Sequence, residues 1–124
     1  MRGIIVFAHG SRVESANEAV RTVAAELAKA GDFRVEAAFL ELGTPDLAGA
    51  ATRLVEAEVD SITVIPYFLT LGLHMERDLP PLIESISRTY NGLRIAVTPP
   101  LDGHPALVQA LLDRALSLSH SNNT

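Results

Sequence analysis

The chain of 124 residues contains no cysteine. That excludes disulfides, thiolate metal sites, iron–sulfur clusters and cysteine nucleophiles, and it points to a cytoplasmic setting. Long apolar runs are missing too: none approaches the roughly 20 residues that cross a bilayer. The N-terminal run is only five or six residues long and lacks a small-residue cleavage site, so it does not read as a secretory signal. Lysine is almost absent, with Lys29 set against nine arginines, and the net charge of −5 argues against general nucleic-acid binding. The arginine excess has two readings, codon bias or the bidentate clamping of carboxylates and phosphates.

Several standard catalytic motifs are also missing. There is no Gly-x-x-x-x-Gly-Lys-[Ser/Thr] phosphate loop, no Gly-x-Gly-x-x-Gly dinucleotide turn and no Gly-x-Ser-x-Gly nucleophile elbow. ATP, NAD and serine-hydrolase chemistry lose their main support.

What is present is alternation. Apolar runs at about Gly3–Ala8, Arg34–Leu40, Ser61–Phe68 and Leu93–Thr98 are continuous and rich in Val, Ile and Phe, as in strands covered on both faces. Between them, Val20, Val23, Ala24 and Leu27 recur at helical spacing, with Gly31 as a stop. Thr44-Pro45-Asp46 reads as an N-cap with Pro at the first helical position, followed by Leu47, Ala50, Ala51, Leu54 and Val55 on one face. A third helix is predicted over about Arg77–Tyr90, opened by Arg77 and Asp78, with Asp78 as a possible cap, and stopped by Asn91-Gly92. The last helix starts at Gly103-His104-Pro105 and is predicted to pack through Val108, Leu111, Leu112, Ala115 and Leu116. Residues 1–118 form one domain in this reading, and 119–124 a disordered tail.

The βαβαβαβα order predicts an α/β class domain: a doubly wound, flavodoxin-like, four-stranded parallel sheet with helices on both faces. In the common strand order 2-1-3-4, a crevice opens at the carboxyl ends of strands 1 and 3. His9 follows strand 1, His74 follows strand 3, and Glu41 ends the neighbouring strand 2. Two imidazoles and a carboxylate leave coordination positions open, which suits Co, Ni, Fe or Zn held for chemistry. Each alone has a plainer explanation as a capping or solvated residue. Ser11 and Arg12 stand at the mouth of the crevice, where an anion can meet Arg12 and free backbone N–H groups. The plainer alternative pairs Arg12 with Glu14 or Glu18. His104 reads as part of a helix start, and His120 lies in the tail.

The ordered set His9-Gly10-Ser11-Arg12, Phe39-Leu40-Glu41 and Pro66-Tyr67-Phe68-Leu69-Thr70-x-Gly72-x-His74-x-x-x-Asp78-x-Pro80 resembles the class II tetrapyrrole chelatases, above all the small sirohydrochlorin chelatases of cobalamin and sirohaem biosynthesis. The likeness spans essentially the whole chain. It implies insertion of Co²⁺, Fe²⁺ or Ni²⁺, the metal being a substrate, into sirohydrochlorin or a related tetrapyrrole without ATP or a nucleotide cofactor. It maps the family's metal-binding histidines onto His9 and His74, also the catalytic residues, with Glu41 as the supporting carboxylate. It further implies a homodimer that rebuilds the two-domain cleft of longer members. His9 is then a metal ligand and His74 a ligand or base. Arg12 and Arg77 are candidates for the substrate's carboxylates, and Phe68, Leu71 and Leu73 for its ring face or, alternatively, for packing in the core or a dimer interface. The histidine-rich stretch of some small members is missing. Two alternatives stand beside this reading. One is a non-catalytic metal or tetrapyrrole carrier. The other is a histidine-phosphatase-like phosphotransferase, which sets an Arg immediately before its His where this chain has Ala8.

Overall fold

A computed structural model describes residues 1–118; the tail expected over 119–124 lies outside the described residues. The elements alternate as β1 (Arg2–Ala8), α1 (Glu14–Ala30), β2 (Arg34–Phe39), α2 (Leu47–Glu56), β3 (Ser61–Pro66), α3 (Leu73–Thr89), β4 (Arg94–Val97) and α4 (Pro105–Leu116). The four strands form one parallel sheet of order β2-β1-β3-β4, as the alternation predicts. No described helix is long and apolar enough to cross a membrane.

The continuous apolar run of β1 is explained by its central place. Ile5 and Phe7 point into a core shared with Ala38, Leu54, Ile62, Val64 and the inner faces of α2 and α3. The alternate residues Val6 and Ala8 join Ala24, Ala37 and Phe39 on the other face, beneath α1. A strand buried on both sides has no polar period to show. Register follows directly: Phe7 pairs with Ala38 on one side and with Pro66 on the other. The carboxyl ends of β1, β2 and β3 are thereby held level, which fixes the rim where the site is sought.

Three helices depart from expectation, two in where they start and one in how it packs. In α2 the N-cap is Asp46 rather than Thr44, because the Asp46 carboxylate accepts a 2.8 Å bond from the Gly49 N–H. Pro45 lies before the helix, where its carbonyl accepts from Phe39 N–H at 2.9 Å. Helix α3 begins at Leu73, four residues earlier than predicted, so His74 sits in its first turn, Arg77 and Asp78 lie inside it, and Gly72 rather than Asp78 is the cap. Pro80 and Pro81 fall in the interior. Each costs the helix a hydrogen bond, about 3 kcal/mol by usual measure. Met75, Leu79 and Ile86 keep one buried face across the prolines and recover about 1.5–3 kcal/mol each. Burial decides the boundary here.

The third departure concerns α4. Its start is as expected: His104 Nδ1 accepts from Ala106 N–H at 3.0 Å, and Pro105 occupies the first helical position. Its predicted packing face is not packed. Val108 (71%), Leu111 (69%) and Leu116 (73%) are exposed, and α4 buries no residue. The helical period is there, but the described residues supply no layer against it.

Candidate metal site at the strand ends

The first part of the site is built by extending the β1–β2 ladder past both strands. Leu40 N–H donates to Ala8 O at 2.9 Å, and Glu41 N–H to His9 O at 3.1 Å. This pairing sets His9 beside Glu41, with Nε2 of the ring 3.9 Å from the carboxylate Oε1. Both side chains are more than half exposed. That separation is too long for a hydrogen bond, and shorter than the sum of two metal–ligand bonds of about 2.0–2.2 Å. The ring's Nδ1 lies 3.4 Å from Gly10 O. When that nitrogen carries the proton, the Nε2 lone pair is free to face the crevice.

Gly10 follows with φ +96°, and a β-carbon there would lie 1.6 Å from the carbonyl oxygen of Glu41. Ser11 comes next, half-buried, its Oγ accepting from Val13 N–H at 3.0 Å. Arg12 points to solvent and forms no ion pair among the described residues; Glu14 and Glu18 are instead held by Arg21, at 2.6 and 2.9 Å. The Arg21 hydrogen bond keeps the Glu14 carboxyl below its ordinary range.

Sequence reasoning passed over Asn17. It is 1% exposed, alone among polar side chains in the described core. Its Oδ1 accepts from Ser11 N–H at 2.9 Å, and its Nδ2 donates to Ser11 O at 2.9 Å and to Leu42 O at 2.8 Å. One amide thus joins the loop after His9 to the loop after Glu41. Asn17 falls on the same helical stripe as Val20, Ala24 and Leu27, where a polar side chain is out of place, and that is its signal in the sequence.

His74 stands apart from this pair. Its Nδ1 accepts a 2.9 Å hydrogen bond from Arg77, whose Nε also bonds Asp78 at 3.1 Å. With Nδ1 accepting, the neutral ring carries its proton on Nε2. Phe68 turns inward, edge-on to Phe7 at 6.4 Å, and Leu71 packs on the same core. Leu73 is 84% exposed. Among the described residues no three His, Asp or Glu side chains gather closely enough to hold one ion. His9 and Glu41 are brought together; His74 is on the same rim and outside that pair. A concavity of about 550 Å³ lies elsewhere, between α3 and β4, lined by Leu79, Ile83, Ile95 and Val97.

The architecture is therefore a doubly wound α/β domain with its chemistry-bearing side chains at the carboxyl rim of the sheet, the usual ligand edge of that class. Within that class the chain belongs to the CbiX family, whose model matches residues 3–118. A sirohydrochlorin cobaltochelatase of Sulfolobus acidocaldarius is 31% identical over 115 residues, covering 93% of this chain and 90% of its own. The chloroplastic sirohydrochlorin ferrochelatase of Arabidopsis thaliana is 32% identical over 113 residues; the match covers 90% of this chain and 50% of that one. Among solved structures, a CbiX protein of Marinobacter aquaeolei VT8 superposes with a TM-score of 0.82 at 28% identity, covering 94% and 96% of the two chains.

Proposed function

We propose that this protein is a sirohydrochlorin chelatase, inserting a divalent metal, Co²⁺ first and Fe²⁺ or Ni²⁺ also accepted, into the tetrapyrrole without ATP. The observation that carries the reading is the His9–Glu41 pair, set side by side by the extended β1–β2 ladder. In a family whose relatives bear the names of cobalto- and ferrochelatases, that pair is a natural place to receive the ion.

Insertion exchanges two pyrrole N–H protons for one M²⁺. The ion must shed water, and both protons must find a base. His9 Nε2 and Glu41 replace water ligands and leave other positions open to the ring nitrogens. His74 is poised differently. While Arg77 donates to its Nδ1, its Nε2 carries a proton and neither ligates nor accepts. A substrate carboxylate offers Arg77 a better, bidentate partner and frees the ring to take a pyrrole proton or join the metal. Arg12, exposed and unpaired among the described residues, gives a second cation at the rim of an acidic protein. Ser11 borders the same mouth. Leu73 offers apolar surface to the ring, whereas Phe68 and Leu71 support the loop from the core side.

The working unit is residues 1–118 in the cytoplasm, used as a homodimer. One chain gives a pair of neighbouring ligands, and two chains facing each other would supply the rest of a cleft. The Arabidopsis relative, about half covered by this chain, is long enough for two such units.

The test is an anaerobic absorbance assay with sirohydrochlorin and Co²⁺, Fe²⁺ or Ni²⁺ in turn, beside folded His9→Ala and His74→Ala variants. Insertion faster than the uncatalysed rate, lost in both variants, is the expected result. Metal retained without acceleration would leave a carrier.

A further inference from the structure

The two edges of the sheet are treated differently. At the β2 edge, Arg53 of α2 reaches Glu36 at 3.3 Å, and the outward Phe39 N–H is bonded to Pro45 O at 2.9 Å. Charges and a loop guard that strand, the usual protection of an edge. Along Ile95, Ala96 and Val97 of the β4 edge neither device is present among the described residues. Arg94 N–H donates to Asp60 O at 3.3 Å and Thr98 N–H to Val64 O at 2.9 Å, so alternate residues of β4 face β3. Ile95 and Val97 therefore turn their N–H and C=O groups to the open side.

The side chains of the same two residues face a hollow. Ile95 and Val97 share the α3 side of the sheet with Ile62 and Val64, their partners in register. With Leu79 and Ile83 they line the concavity of about 550 Å³ between α3 and β4. Glu76 and Glu84 are its charged members, and among the described residues no Lys or Arg lines it. Glu84 bonds Arg88 at 3.1 Å, whereas Glu76 forms no ion pair among the described residues. Pro80 brings no N–H, so the carbonyl of Glu76 lacks its usual helical partner as well. Glu76 thus offers a carboxylate and a main-chain acceptor in one wall of an otherwise apolar hollow.

We propose that the β4 edge receives an extended peptide segment of another protein as a fifth strand, with an apolar side chain in the hollow and Lys or Arg against Glu76 and Glu84. Main-chain bonds to Ile95 and Val97 supply affinity, and the hollow with its carboxylates supplies choice. The helix sets the spacing. Glu76 and Glu84 are eight positions apart, about 12 Å along α3, which an extended chain covers in about four residues. The matching segment is therefore basic–x–apolar–x–basic, with the three recognised side chains on one face. A second copy of this chain fits less well. Its β4 would bring Ile95 and Val97 to the hollow but no cation, and would set another Glu76 and Glu84 near the first pair. A basic partner also suits a chain of net charge −5. The segment lies on the helix that carries His74 and Arg77 in its first turns, which seats the partner near the rim of the sheet.

The test uses the full chain and a synthetic peptide, Thr-Lys-Thr-Val-Thr-Lys-Thr with blocked ends and a fluorescent label, followed by anisotropy at low salt. Saturable binding is expected, together with slower hydrogen exchange at the Ile95 and Val97 amides of the unmodified protein. Val97→Pro removes an outward N–H and no ladder bond, and it asks Ala96 only to stay extended. It is expected to keep the far-ultraviolet spectrum and to weaken binding about tenfold. Glu76→Gln is expected to weaken it about two- to fivefold, the effect of one exposed ion pair, and a peptide with Glu in place of both Lys should not bind. Absence of binding, or binding that leaves exchange at Ile95 and Val97 unchanged, would overturn the fifth strand whether or not the proline variant folds. Equal binding of the Glu peptide would overturn the basic partner. Displacement of the peptide by rising concentrations of the unlabelled chain would give the edge to a second copy and overturn the proposal as well. Metal insertion is assayed apart, and its failure would leave the peptide result standing.

Discussion

Gly10 lies so close to Glu41 that a β-carbon on the first would stand 1.6 Å from the carbonyl oxygen of the second. The contact explains why a glycine follows His9: its φ of +96° turns the chain out of the sheet while the ladder continues across to Glu41. Gly10→Ala must therefore strain the backbone and part the two strand ends. The expected outcome is a loss of about 2 kcal/mol or more in chemical denaturation, with weaker Co²⁺ binding by titration. An alanine variant of native stability and metal affinity would show that the close approach is not needed for the site.

Asn17 makes the complementary prediction. Removing its amide leaves Ser11 N–H, Ser11 O and Leu42 O without their partner in a part-buried place. Each orphaned group costs about 1–3 kcal/mol, less whatever water can reach. Asn17→Ala should lose about 3 kcal/mol of stability, whereas Asn17→Asp keeps the acceptor and loses the donor. If Asn17 positions the site, residual insertion at a temperature where both variants are folded should fall through metal affinity before kcat. Equal metal affinity in all three proteins would reduce Asn17 to a structural clasp.

Much of this was legible in the sequence. Buried strands advertise themselves as continuous apolar runs, and β1 needed no tertiary information. The helical stripe of α4 was legible as well, but a period says only that a face is apolar, never what covers it. The start of α3 was hidden by Pro80 and Pro81, which read as a boundary when weighed locally. The buried spacing of Met75, Leu79 and Ile86 outweighs them only once the core exists. Thr44 and Asp46 were equally good caps by type, and Gly49 N–H chose between them. His9, Glu41 and His74 could be assigned to one rim from strand order alone. That Glu41 pairs with His9 while His74 pairs with Arg77 depends on side-chain directions that no spacing rule contains.

Arg21 gives a prediction in pH. It donates to Glu14 and Glu18 and to Thr44 O, and lies over the Phe39 ring at 5.2 Å, tying α1 to the loop before α2. Its hydrogen bond is the main reason the Glu14 carboxyl titrates below its ordinary range. A depressed carboxylate contributes stability above its unfolded pKa, about 4.3, and that contribution is lost as pH falls through the lower folded value. The difference in melting temperature between wild type and Arg21→Ala should therefore be largest near neutrality and shrink below about pH 4.3. A gap that stays constant down to pH 3 would assign the whole effect to the Thr44 and Phe39 contacts.

The Arg77–His74 hydrogen bond separates two roles for the arginine. If Arg77 only anchors a substrate carboxylate, Arg77→Gln weakens binding, and KM for sirohydrochlorin rises about tenfold, the equivalent of about 1.4 kcal/mol, at unchanged kcat. If it also holds the His74 tautomer, removing the guanidinium frees Nδ1 before substrate arrives. The ¹⁵N signals of the His74 ring in the free enzyme should then report a mixture of tautomers in place of one, while kcat stays where it was, because bound substrate has already drawn the arginine away in the native protein. Arg77→Lys keeps a charge but loses the planar fork, so it should restore part of the KM and none of the tautomer control. Rescue of both by lysine would mean that charge alone matters, and the hydrogen bond to His74 is then incidental to insertion.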